Sequence, residues 1–145
     1  MMGEIRNGVT SATGAYALAE ASNNQIIFYS LNSSNVVVRV RYFSSAGTLK
    51  KGIVVPTGNP LSYNLGSETV TTVQTNLANA ADPLFYYYDG NYNGTGLALI
   101  QPVSVVQVRM VKLNLEIYKT PNSANSAYTI TAGASIRNLK TNLGN

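Results

Sequence analysis

Hydrophobic residues follow a helical period only near the start of the chain. Ile5 and Val9 lie four positions apart, the spacing that places side chains on one side of an amphipathic helix. Gly8 and Gly14 each disfavour a continuous helix by about 1 kcal/mol. The pattern therefore predicts a helix over residues 4–13, followed by an irregular run. Ile5 and Val9 are expected to pack on the rest of the fold.

After that helix, alternation of apolar and polar positions predicts strands. "VVVRVRYF" (36–43) puts Val36, Val38, Val40 and Tyr42 on one face and Val37, Arg39, Arg41 and Phe43 on the other. "PVSVVQVRMVKLNLEIYK" is predicted to be the longest strand, with a β-bulge near Met110 or Val111 because the alternation changes phase there. Residues 68–73 predict a short strand and residues 75–80 a helical turn before Pro83.

These elements predict an α+β fold: one N-terminal helix packed on a mostly antiparallel sheet of six or seven strands. Neither a repeat nor a linker interrupts the 145 residues. The interpretation is a single domain over 1–145, in which a β-rich head occupies 25–143.

Composition narrows the candidate chemistry. Charged residues make up only 11% of the chain, and the polar uncharged surface this implies is commoner in secreted and cell-surface proteins. The chain contains no Cys and no His, which excludes disulfides, thiolate chemistry, Ser-His-Asp catalysis and an ordinary zinc site. The six acidic residues are dispersed. We therefore expect neither an enzyme nor a cofactor.

The stretch "FYYYDGNYNGTG" (85–96) resembles the first half of a calcium-binding loop. Asp89, Asn91 and Asn93 supply oxygen atoms at alternate positions before Gly94. The twelfth position holds Ile100, where a calcium loop needs a bidentate Glu. No metal is expected, and Asp-Gly and Asn-Gly favour a loop between two strands.

The tyrosines of the same stretch are candidate contacts. Tyr86 and Tyr88 share one face of a predicted strand, and Tyr92 lies at the loop tip. Exposed aromatic rings beside Asp and Asn suit a sugar or a partner protein. In the alternative interpretation, the helix and a loop cover both faces of this strand.

A basic cluster is a second candidate surface. Arg39 and Arg41 share a strand face, and a four-residue hairpin loop would place Arg41 opposite Lys50. Like charges directly across a strand pair are unfavourable. An acid or an anionic ligand is therefore expected nearby. The candidate acids are Glu68, Asp82 and Glu116.

The order of several motifs resembles the soluble heads of bacterial type IV pilin-like proteins, above all the minor pilins and the minor pseudopilins of type II secretion. The motifs are "RYF" followed by "LKKG", "YYD" opening a loop, "QVRMVKLNLEI" and the terminal "SIRNLKTNL". The resemblance extends from Ile5 to Leu143. Some relatives carry an acidic calcium loop, but "SLNSSN" (30–35) has no carboxylate here.

The resemblance implies a structural subunit of a type IV pilus or of a type II secretion pseudopilus. Its partners would be other pilin or pseudopilin subunits, at the cell envelope or in an extracellular filament. Residues 4–13 would be the end of a stalk helix that also anchors the protein in the inner membrane. The native gene is then expected to continue upstream with a leader and about 20 apolar residues.

Two alternatives remain. A secreted carbohydrate-binding module would use the aromatic stretch, namely Phe85, Tyr86, Tyr88 and Tyr92. A DNA-contacting pilin would use the basic residues, since the net charge of +4 gives a weak attraction to polyanions.

Overall fold

The computed structural model describes residues 1–120 and 126–139, which form two antiparallel sheets and one short helix. Five strands pair in the order β1-β2-β3-β4-β5, and three pair in the order β6-β7-β8. The elements are α1 (Met2–Arg6), β1 (Leu18–Ala21), β2 (Gln25–Leu31), β3 (Val37–Ser45), β4 (Thr48–Val54), β5 (Thr69–Gln74), β6 (Phe85–Tyr88), β7 (Met110–Tyr118) and β8 (Ala127–Ser135). Two short 3-10 turns complete the list: Leu65–Ser67 lies before β5, and Arg137–Leu139 follows β8.

The predicted architecture, a helix packed on one sheet of six or seven strands, is wrong. Eight described strands divide into two sheets, and the fold is mostly β. The division falls at residues 75–84, which lead from β5 to β6 without continuing the first sheet. These residues were expected to include a helical turn, but Leu77 instead forms an isolated β-bridge with Ile117 of β7. Two sheets that each have an apolar face bury those faces against one another.

The predicted helix over 4–13 is also too long. α1 ends at Arg6, and Asn7 has non-helical backbone angles. The Val9 N–H donates to the Tyr29 carbonyl of β2 at 2.9 Å, so the chain has already turned onto the sheet. The irregular run expected after the helix is followed by strand β1, which begins at Leu18. A Cβ at Gly8 would lie 3.3 Å from the Ile5 carbonyl oxygen, which is closer than an ordinary contact.

Strand β7 is shorter than predicted and regular. It begins at Met110, and residues 101–109 form a loop. Its register with β8 runs without a shift from Met110 opposite Ser135 to Tyr118 opposite Ala127. The phase change near Met110 therefore marks the start of the strand, and no β-bulge is present in this pair.

The β3–β4 hairpin turns through two residues. Ser45 lies opposite Thr48, while Ala46 and Gly47 have φ values of 48° and 67°. Positive φ at both central residues is the geometry of the type I′ turn that suits twisted hairpins. This loop places Arg41 opposite Gly52 and Phe43 opposite Lys50. The predicted pairing of Arg41 with Lys50 is therefore wrong, because it assumed a four-residue loop.

One hydrophobic core lies between the sheets. The predicted alternation is confirmed over residues 38–42 of β3 and throughout β7, where every second residue is buried. Val36, predicted on the same face, lies before β3 and is exposed. The buried side chains of these two strands are Val38, Val40, Tyr42, Val111, Leu113, Leu115 and Ile117. The same cluster includes Ile5 of α1 and both Phe85 and Tyr87 of β6. The core thus joins both sheets and the helix.

Candidate functional site

Glu4 of α1 makes polar contacts with the larger sheet. Its carboxylate accepts a hydrogen bond from Lys51 Nζ at 2.6 Å and another from the Tyr42 hydroxyl. Lys51 and Tyr42 lie opposite each other in β4 and β3, on the face that meets the core. Glu4 therefore ties the helix to two adjacent strands of the larger sheet.

The surroundings of Glu4 shift two ionisation equilibria. Partial burial by itself would raise the pKa of Glu4, but hydrogen bonds from Lys51 and Tyr42 and the Lys51 charge outweigh it, so the pKa is lowered. Burial raises the pKa of Tyr42 strongly, and the hydrogen bond to Glu4 adds to that shift. Glu4 is thus held as a carboxylate and Tyr42 as a neutral donor. The Lys51 ammonium also lies 5.6 Å from the Tyr42 ring centroid.

The two apolar residues expected on the helix have different environments. Ile5 is 1% exposed and belongs to the core cluster. Val9 is half-buried and lies beyond the helix, where its backbone joins β2. A further hydrogen bond runs from Asn138 Nδ2 to the Gly8 carbonyl at 2.7 Å. The segment that follows α1 is therefore held by β2 and by the 3-10 turn that follows β8.

The basic cluster has an internal counter-ion. Arg41 makes two hydrogen bonds to the Glu68 carboxylate, through Nε at 2.9 Å and through Nη2. Arg39 Nη1 lies 3.7 Å from the same carboxylate, and Arg41 also stacks 3.8 Å over the Phe43 ring. Glu68 was one of the three acids expected near Arg41. Lys50 pairs with Phe43 across the hairpin and shares this face of the sheet.

The tyrosines of β6 do not form an open platform. Tyr88 is buried, and its ring lies 4.0 Å from the ring of Tyr92. Lys112 donates a hydrogen bond to the Tyr92 hydroxyl, and this bond raises the pKa of Lys112. The Lys112 ammonium also lies 5.1 Å from the Tyr88 ring centroid. Tyr86 is half-buried on the same face, and its pKa is raised by burial and by the negative charges of Asp82 and Glu116.

The loop after β6 folds on itself. Asp89 Oδ1 accepts from the Asn91 N–H at 2.9 Å, and Asn93 Oδ1 accepts from the Thr95 N–H at 3.2 Å. These are Asx turns, in which the side-chain oxygen satisfies a nearby backbone donor. The loop borders a cleft of about 160 Å³. Within residues 1–120 and 126–139, no group of three or more Asp, Glu, His or Cys is placed to hold a metal.

The same loop exposes apolar side chains that the sequence reasoning missed. Leu97 is 97% exposed and Ile100 is 89% exposed, whereas Leu99 between them packs against the core. The Leu99 N–H donates to the Tyr87 carbonyl at 2.8 Å and pins the loop to β6. The feature of the sequence that could have indicated them is the absence of charged residues from Gly90 to Val108. The reasoning also missed the Glu4–Lys51–Tyr42 contact.

No protein-family model matches the chain, and no curated protein matches it in sequence. None of the helices in the described ranges has the length and apolar character needed to cross a bilayer.

Proposed function

We propose that the chain is the head of a filament subunit of the type IV pilin-like kind, in a pilus or in a type II secretion pseudopilus. It acts by assembly and surface contact with other pilin or pseudopilin subunits at the cell envelope. Its motif order resembles that of minor pilins, and no catalytic role is proposed.

The docking of α1 is the observation that carries this proposal. A helix of five residues is not stable alone, because nucleation costs more than its few hydrogen bonds return. Here Ile5 enters the core and Glu4 binds β3 and β4. A helix held in this way has a fixed direction relative to the head, as a stalk must have if subunits are to repeat in a filament.

The two alternative functions draw less support from the geometry. Tyr88 is buried, and its contacts with Tyr92 and Lys112 occupy ring surface that a stacked sugar would need. Arg39 and Arg41 share the Glu68 carboxylate, which reduces their attraction for a nucleic acid backbone. We therefore propose neither a carbohydrate-binding module nor a DNA-contacting pilin.

Immunogold labelling of the cells that make the protein tests the proposal. Antibodies raised against this chain should label surface filaments or their tips, and deletion of the gene should remove that label. A glycan array tests the carbohydrate-binding alternative in parallel, and a salt-dependent DNA shift assay tests the DNA-contacting alternative. The proposal fails if the antigen is confined to the cytoplasm or to the culture medium. Saturable binding in the glycan array or in the DNA shift assay would instead favour the corresponding alternative.

A further inference from the structure

Within the described ranges, one of the two edge strands of each sheet is the longer one and has no strand on its outer side. β5 ends the larger sheet and β8 ends the smaller one. The opposite edges, β1 and β6, are only four residues long. Natural proteins protect open edges with short strands, charges, proline or bulges. β5 and β8 contain neither a charged residue nor a proline. The β8 register has no bulge, and the register shift of β5 lies opposite Leu49 and Lys50, outside its regular stretch at 69–72.

The backbone direction in β7 shows which groups of β8 face outward. The Asn114 N–H donates to the Leu84 carbonyl on the β6 side at 2.8 Å. Because successive residues of an antiparallel strand point to opposite sides, Leu115 bonds toward β8, where its partner is Ile130. The neighbours of Ile130, Thr129 and Thr131, therefore present their N–H and C=O groups to the open side.

The same alternation identifies the outward groups of β5. The Ser44 N–H donates to the Asn24 carbonyl on the β2 side, so Tyr42 also points there and its partner Lys51 points toward β5. Lys51 lies opposite Thr71, which therefore points inward. Val70, the residue before Thr71, presents its N–H and C=O to the open side.

The side chains beside these edges are apolar and exposed. In β8, residues 127–131 are exposed on both faces, and Tyr128 and Ile130 are 44% and 43% exposed. In β5, Val70 and Val73 are 45% and 46% exposed. Both edges thus combine unpaired backbone groups with Thr, Val, Ile and Tyr side chains, which suit a strand partner of the same kind.

We propose that the open edge of β8 pairs with the open edge of β5 in a second copy of this chain. One chain carries both edges, and no charge on either strand repels the other or selects a different partner. Because the two edges are different surfaces, the contact is heterologous and head-to-tail, so it adds subunits without closing. This deepens the filament function proposed above and rests on it for its biological role.

Proline variants of the purified chain test the pairing. Thr131→Pro removes an outward N–H of β8, and Val70→Pro removes one of β5, while the hydrogen bonds within each sheet remain. The unaltered chain should gain mass with concentration, beyond twice the 15.5 kDa of one subunit, in light scattering after size exclusion. Each variant alone should remain a monomer. A mixture should form a one-to-one dimer, because each variant keeps the edge that the other lacks.

Thr131→Val and Val70→Thr are the matched controls, since they keep the N–H and should assemble like the unaltered chain. Circular dichroism melts check that the proline variants are folded. If one of them is not, Thr131→Cys and Val70→Cys can replace it, because the chain has no other cysteine. A short bismaleimide should then link the two variants to each other and neither variant to itself.

Several results would overturn the pairing. The first is an unaltered chain that stays monomeric at every concentration. The second is a Val70→Pro variant that dimerises alone. The third is assembly that neither Thr131→Pro nor Val70→Pro changes. The second result would indicate a symmetric β8–β8 contact. None of them bears on the cellular labelling that tests the filament function itself, so the two proposals fail separately.

Discussion

Replacing Ile5 with Ala should destabilise the head although Ile5 lies in a helix of only five residues. The side chain is 1% exposed and packs in the cluster that joins both sheets. Shortening a buried Ile to Ala costs about 2–5 kcal/mol, because burial is lost and a cavity remains. For a chain of this size, that corresponds to a melting temperature lower by about 5–15 °C.

A graded series of variants checks this reasoning by thermal denaturation, followed by circular dichroism at pH 7. Ile5→Val should cost about 0.5–1.5 kcal/mol. Val9→Ala should cost less than Ile5→Ala, because Val9 is half-buried. Arg6→Ala is the control, since Arg6 is exposed on the same helix. If Ile5→Ala melts within about 1 °C of Arg6→Ala, α1 is not docked on the core and the proposed function loses the observation that carries it.

Three further predictions concern charge, metal and the exposed loop. The lowered pKa of Glu4 means that its contribution to stability is present above its ordinary pKa of 4.5 and is lost as the pH falls through the folded-state value. Melting temperatures from pH 7 to pH 3 should therefore fall less steeply in Glu4→Gln than in the unaltered chain, and equal slopes would contradict the contact. Millimolar calcium or EDTA should leave the melting temperature unchanged, with magnesium as the control, and a saturable rise with calcium would reveal a site. Leu97→Ser should change stability by less than about 0.5 kcal/mol, whereas Leu99→Ser should lower it measurably in the same urea titration; similar losses would show that Leu97 is buried.

Local pattern predicted the strands well and their arrangement poorly. Alternation in β3 and β7 gave the buried faces correctly, because a half-buried strand must alternate. It could not show that residues 75–84 begin a second sheet, since a strand has the same pattern whichever sheet it joins. The helix was overextended because Val9 has helical spacing from Ile5 but bonds to Tyr29 of β2. Tertiary pairing thus outweighed a weak helical period.

The candidate sites depended on register, which sequence alone specifies only in part. Arg41 was placed opposite Lys50 on the assumption of a four-residue loop, whereas Ala46 and Gly47 make the turn alone. The tyrosine cluster was correctly placed on one face of β6, but the stacking of Tyr92 on Tyr88 depends on how a long loop folds back. Contacts between residues far apart in sequence, such as Glu4 with Lys51, leave no periodic signal.

The uncharged loop between β6 and β7 also determines how proteases act on the folded head. From Gly52 to Val108 the chain has no Lys or Arg, so trypsin finds no cleavage site there, however exposed the backbone is. Thermolysin, which cleaves beside large apolar residues, meets Leu97 and Ile100 at the surface. A brief thermolysin digestion should therefore nick the chain first in this loop, because Leu61 and Leu65 between β4 and β5 are less exposed, at 49% and 61%. The strands on either side of the cut should stay associated through the shared core. A neighbouring subunit bound to that loop would shield it, so the rate of nicking tests whether the loop is covered in the filament proposed above.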